Sequence, residues 1–516
     1  MFKQCKLWMA AGAALIAFDT PALMAGTPAA GDTPAGGDAL LDTMVEKGLL
    51  TRQEEDQIIA KSKEKAEKNP ALTFANNLGI EQLTLFGDLR VRYESRDGSA
   101  PAGTAYTTTG GGASALLNHN DTETRNRARY RLRLGVEAKL MDDWFAGIGF
   151  STNPYNQRSG NVTFGDTDSS GPFGKSRGLP GVNLAYIGWK NDWLTVEGGM
   201  FPNTLYTSNM IWDPNINPVG LSEQLHHRFD STWEVFANFN QNLYAASPFS
   251  NTISTAGPTA TTSNLSDIFQ MVEQVGMQVN FTKDVYAKAA VGVYNYTGTN
   301  NYNGDSYSAY SGSPIVLNGT SNQPSGFAGP FIGDSPNGTT YNGIYTGNVY
   351  AVNNLNVIDL PAELDWKAWN LPWRAFGDFA INADADQRAA LAMHPGRGGA
   401  DGYAYQAGLQ VGNARKKGDW QSKAYWQRVG TYAIDPNLTD ADIFDGRTNM
   451  QGVVLNATYQ LTDSLAITAQ GAIASRIDSS MGTDGLQMGT PGTGQDLNLG
   501  TIGNYKLGQI DLLWKF

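Results

Sequence analysis

From about residue 80 onward, apolar and polar side chains alternate along most of the chain. The stretch at 123–140, ETRNRARYRLRLGVEAKL, shows the pattern most plainly. Arg125, Arg127, Arg129, Arg131 and Arg133 fall at every second position, and Tyr130, Leu132, Leu134 and Val136 hold places between or beyond them. A period of two belongs to a strand with one apolar face. The same reading predicts strands over approximately 82–94, 123–140, 144–152, 182–190, 193–201, 218–228, 231–241, 267–281, 284–297, 349–367, 371–383, 402–415, 419–430, 447–461, 464–475 and 501–516, sixteen in all.

The connections sort by length. Short turns, such as MDD at 141–143, ND at 191–192, TKD at 282–284, KKGD at 416–419 and TD at 462–463, alternate with long polar loops. The long loops cover about 95–122, 153–181, 202–217, 242–266, 298–348, 384–401, 431–446 and 476–500. Such alternation is expected of an all-β, 16-stranded antiparallel transmembrane barrel over residues 81–516, its termini and short turns on one side. Trp144, Trp189, Trp193, Trp366, Trp369, Trp373, Trp420 and Trp514 all lie near short turns or the C-terminus, where a membrane-interface girdle would place them.

The N-terminal part differs. Lys3 and Lys6 precede an apolar run from Leu7 to Phe18 and a small-residue site ending at Ala25, so 1–25 reads as a secretory signal peptide. Residues 26–80 read as a periplasmic linker with a short helical segment. Leu40, Leu41, Met44 and Val45 share a face, Gly48 stops the first helix, and Thr51 with Glu54 forms a capping box for the second. An oligomerising collar and a solvated linker helix both fit this segment.

Composition removes several functions. The one cysteine, Cys5, leaves with the leader, which excludes disulfides and thiolate chemistry. A net charge of −12 disfavours nucleic acid. No apolar run long enough for a helical span follows the leader. The four histidines, His119, His226, His227 and His394, assemble no evident triad, and no G-x-S-x-G elbow occurs, so no catalytic residues are assigned. GDTDSSG at 165–171 lacks the full calcium-loop pattern, and neither metal nor cofactor is expected.

Four stretches carry a family resemblance: LLDTMVEKGLLTRQEEDQI before the barrel, LFGDLRVRYE as first strand, RNRARYRLRLG in the second, and WDPNINPVG after the fifth. They resemble the Gram-negative putative porin family. The resemblance implies an outer-membrane diffusion channel for small hydrophilic solutes, assembled as a homotrimer. It also implies outer-membrane lipid, lipopolysaccharide and the barrel-assembly machinery as partners. Phe516, closing the amphipathic IDLLWKF, resembles the insertion signal of such barrels. A structural or adhesive barrel working through its long loops is the alternative.

On a lipid-facing site at mid-bilayer each arginine would cost about 2–4 kcal/mol, so the arginine row is expected to face the lumen. With Asp88, Arg90, Arg92 and Glu94 of the first strand it would form a basic wall. Asp359, Glu363 and Asp365 with Asp378 would form an acidic wall half-way round. A transverse field between the walls, local ion-pair networks and a dedicated anion site all fit this arrangement. Gln406, Gln410, Gln421, Lys423, Asn456, Thr458, Thr468 and Gln470 would give hydrated lining. The loop near 202–217, with Tyr206, Trp212 and Asp213 and stiffened by Pro202, Pro214 and Pro218, is the preferred constriction; 298–348 is the other candidate.

Overall fold

The computed structural model describes residues 79–100, 105–106, 115–116, 120–152, 159–165, 180–245, 268–297, 355–391, 396–479, 481–483, 497 and 502–516. The leader, the helical segment before residue 79, and the loop at 298–348 lie outside the described residues, as do His119 and His394.

Sixteen strands form the barrel. They are β1 (Ile80–Ala100), β2 (Asp121–Leu140), β3 (Trp144–Ser151), β4 (Gly181–Lys190), β5 (Leu194–Met200), β6 (Val219–Arg228), β7 (Trp233–Ala245) and β8 (Ile268–Thr282). They continue as β9 (Val285–Thr297), β10 (Asn356–Ala368), β11 (Leu371–Asn382), β12 (Tyr403–Gly412), β13 (Trp420–Val429), β14 (Met450–Gln460), β15 (Leu465–Arg476) and β16 (Asn504–Lys515). Each pairs antiparallel with its neighbours in sequence, and a two-residue piece at Val162–Thr163 adds to β2 beyond the end of β3.

Closure comes from β1, which pairs with both β2 and β16. Leu89 stands opposite Trp514, and Gly87 and Phe516 exchange backbone hydrogen bonds of 2.9 and 3.1 Å. The ring of Phe516 lies 4.8 Å from that of Trp514. Closed in this way, every barrel strand has a paired neighbour on both sides among the described residues.

The short turns follow from local chemistry. Asp142 and Asp143 both take positive φ, as do Trp369 and Asn370, which is the two-residue hairpin geometry matched to strand twist. Asp and Asn tolerate it better than most residues.

Alternation sets the two faces. Leu83, Leu85, Leu89, Val91 and Tyr93 of β1 are exposed on the outside, while Asp88, Arg90, Arg92 and Glu94 between them are buried. Exposed Leu132, Leu134, Ile148, Ile187, Val275, Val291, Leu409, Leu455 and Ile510 continue the outer band around the barrel. Inside, aromatic rings fill space that glycines leave on neighbouring strands. A Cβ on Gly276 would come within 2.2 Å of the Phe236 ring across β7 and β8. In β4, a bulge beside Asn183 places Leu184 and Tyr186 inside, packed with Phe201, and Ile187 outside.

Candidate functional site in the barrel interior

The arginine row of β2 faces the interior, and register sets its neighbours. Arg129 stands opposite Arg92, Arg131 opposite Arg90, and Arg133 opposite Asp88. Guanidinium groups this close need counter-charge in a low-dielectric setting. Glu94 supplies the centre: fully buried, it lies within ion-pair distance of Arg92, Arg96, Arg127 and Arg129. Asp88 is shared by Arg131 at 2.9 Å and Arg133 at 2.6 Å. Asp511 of β16 takes a bidentate pair from Arg92, at 2.7 and 2.8 Å, and lies 3.7 Å from Arg90. Arg125 sits half-buried at the far end of the row.

Sequence reasoning missed Arg96, Asp511 and a whole loop. Arg96 and Asp511 share the inward parity of their strands, which would have found them. The loop at 430–449, between β13 and β14, reads as exposed but lies almost entirely buried. Its Asp442 accepts from Arg92 at 2.7 Å and pairs with Arg96 at 3.3 Å. Asp445 pairs with Arg96 at 3.3 Å and Arg447 at 3.2 Å. Burial alone would raise the Asp442 carboxyl, but the charges of Arg92, Arg90 and Arg96 outweigh it and hold the group well below the usual carboxylate range. Burial, and then the charge of Asp442, push its neighbour Asp440 up to about 6.

The acids on the other side are arranged differently. Thr207 Oγ1 donates to Asp359 at 2.9 Å, and the Ser208 backbone N–H donates to Asp378 at 3.1 Å. Both carboxylates are buried beneath the loop at 201–218 that carries these donors. Glu363 and Asp365, nearer the short turns, share Arg374 of β11 at 3.2 and 2.7 Å. The walls therefore find their partners locally or in loops.

The loop after β5, residues 201–218, crosses the interior. The Tyr206 N–H donates to Gln274 of β8, Asn238 of β7 donates to the Thr204 carbonyl, and Arg131 of β2 donates to Asn215 at 2.9 Å. Its residues Leu205, Tyr206, Met210, Ile211 and Trp212 are buried, and so is Asp213. It also meets the second loop. The Asp440 N–H donates to the Asn209 carbonyl at 3.0 Å, Asn209 donates to Asp440 at 3.1 Å, and the Ala441 N–H donates to Asp213 at 3.2 Å. A chain of contacts thus runs from β10 and β11 through both loops to the arginines of β1.

The wall from β12 to β15 below these loops keeps half-exposed polar groups, Gln410, Gln421, Lys423, Asn456, Thr458, Thr468 and Gln470. Half-exposed amides, hydroxyls and an ammonium are able to hydrogen-bond water. Gln406, expected among them, is buried instead.

A family model described as putative porin matches residues 79–490, most of the chain. No curated protein matches in sequence. Among solved structures, OprB of Pseudomonas putida at high pH aligns at 11% identity, covering 87% of this chain and 96% of that one, with a TM-score of 0.42. OmpF of Salmonella typhi in complex with daunomycin aligns at 10% identity over 85% and 99%, TM-score 0.39. A triple-mutant porin of Rhodopseudomonas blastica aligns at 9% over 84% and 100%, TM-score 0.36.

Proposed function

The chain belongs to the family described as putative porin, and from that premise we propose that it is a passive diffusion channel of a Gram-negative outer membrane, passing small hydrophilic solutes or ions. The observation that carries this reading is the contrast between the two faces of the same strands. Outside lies a continuous apolar band suited to lipid; inside lie charged groups, amides and hydroxyls, several of them still half-exposed. A barrel that was only scaffold would have no use for the wet wall of β12 to β15.

In this reading the loop at 201–218, with Tyr206, Trp212 and Asp213, is the constriction, and its contacts with both sides of the interior support that role. Arg90, Arg92, Arg125, Arg127, Arg129, Arg131 and Arg133 give the lumen its basic side. The carboxylates Asp88 and Glu94 offset that charge from within the wall, while Asp359, Glu363, Asp365 and Asp378 give the opposite side its acids. The guanidiniums outnumber the carboxylates around them, which favours anions. The channel is a homotrimer embedded in outer-membrane lipid and lipopolysaccharide, delivered by the barrel-assembly machinery through Phe516.

Planar-bilayer recording tests this. Purified, heat-modifiable protein is expected to give stepwise ohmic currents in KCl. Folded protein that inserts and carries no current would contradict the channel and move attention to the long loops.

A further inference from the structure

Most interior cations of this barrel have a carboxylate partner. Arg90, Arg92, Arg96, Arg127, Arg129, Arg131, Arg133 and Arg374 each reach one. Lys423, on the inner face of β13, is held otherwise. Its Nζ lies 4.4 Å from the centre of the Phe376 ring and 4.9 Å from that of Tyr425. These rings come from β11 and β13 and meet at 5.9 Å, edge to face, across the intervening strand β12. They can do so because β12 carries Gly408 there; a Cβ at that position would fall 2.4 Å from Tyr425.

Ring faces fix an ammonium without neutralising it, since the quadrupole offers partial charge only. The positive charge of Lys423 is thus still available to a solute. Register adds two donors beside it. Gln410 of β12 stands directly opposite Lys423, and Arg374 stands opposite Gln410 on the far side. Gln410 has no hydrogen-bond partner among the described residues, and both it and Lys423 are only half-buried. Ammonium, free amide and aromatic surface therefore converge on the wet wall.

We propose that Lys423, Gln410 and Phe376 form a binding step for small organic monocarboxylates. The carboxylate lies between the Lys423 ammonium and the Gln410 amide, and an apolar body rests against Phe376. This rests on the channel reading, because the site would act on solutes in transit.

Benzoate is the probe. Added to wild-type channels conducting KCl, it should reduce the current in a saturable way. Lys423→Met should raise the concentration needed by about tenfold or more, as expected for loss of a charge-assisted hydrogen bond. Lys423→Arg should restore the block, and Phe376→Leu should weaken block by benzoate more than block by acetate. Lys506→Met, on the outer face, should change nothing. Equal block in wild type and Lys423→Met would overturn the proposal. If the folded protein carries no current, calorimetric titration of benzoate into the detergent-solubilised full chain decides. Binding lost in Lys423→Met would keep the site while the channel reading fails; absent or unchanged binding would end the proposal.

Discussion

The two charged walls meet the same difficulty by different means. On β1 and β2 the charges remain charges: Arg90, Arg92, Arg96, Arg127, Arg129, Arg131 and Arg133 are met by Glu94, Asp88, Asp511 or the acids of the 430–449 loop. On β10 and β11, Asp359 and Asp378 are covered by the 201–218 loop and meet hydroxyl and backbone donors, with no cation in an ion pair among the described residues. A wall of arginines can bind an acidic loop strongly, whereas a buried acid is held by neutral donors worth less each. The arginine side should therefore carry more stability, and the acidic side should yield first.

Glu94→Gln probes the stronger wall. It leaves four guanidiniums around a neutral amide, and breaking a buried pair costs about 3–5 kcal/mol. Urea unfolding followed by tryptophan fluorescence reads this; a loss below about 1 kcal/mol would mean that water, and not Glu94, balances the row.

Asp442→Ala should cost less, about 1.5–3 kcal/mol, because Arg92 keeps Asp511 and Arg96 keeps Asp445. The freed loop should also raise single-channel conductance. Thr207→Val, on the weaker side, should cost about 1–2 kcal/mol and raise conductance as the first loop loosens from Asp359. If Thr207→Val destabilised more than Glu94→Gln, the ranking of the walls would be reversed.

The smallest effect is a pH dependence. Asp440 binds its proton more tightly in the folded chain, at about 6 against 3.8 for the free group. The folded state then holds more protons between those values, so stability from this group is full below about pH 4 and declines as pH rises towards 6. Asp442 stays ionised throughout, because its shift is downward. Conductance noise from the loop contact should grow over that rise, and Asp440→Asn should flatten the profile.

Much of this architecture is legible in the sequence. The sixteen strands, the order of long and short connections, and the inward arginines follow from a period of two. The 201–218 loop stands out through Trp212, Tyr206 and three prolines. The 430–449 loop does not, because DPNLTDADIFDGRTN has the composition of a solvated loop. Its acids are buried only because closure brings Arg92 and Arg96 opposite them, a relation between residues some 350 positions apart. Arg96 escapes for a different reason: the first strand is predicted to end at 94 but runs on to Ala100, so the inward parity that Arg96 shares lies beyond the predicted end. The glycine sites under Phe236 and Tyr425 depend on pairing register and carry no local signal.

Central to the proposal is an arginine row that lines a conducting, net-basic path. The reversal potential across a KCl gradient, for wild type and for Arg129→Ala/Arg131→Ala, decides it. An anion-preferring wild type is expected, with that preference falling in the double variant. A cation-preferring channel, or a preference unchanged by losing both arginines, would contradict it.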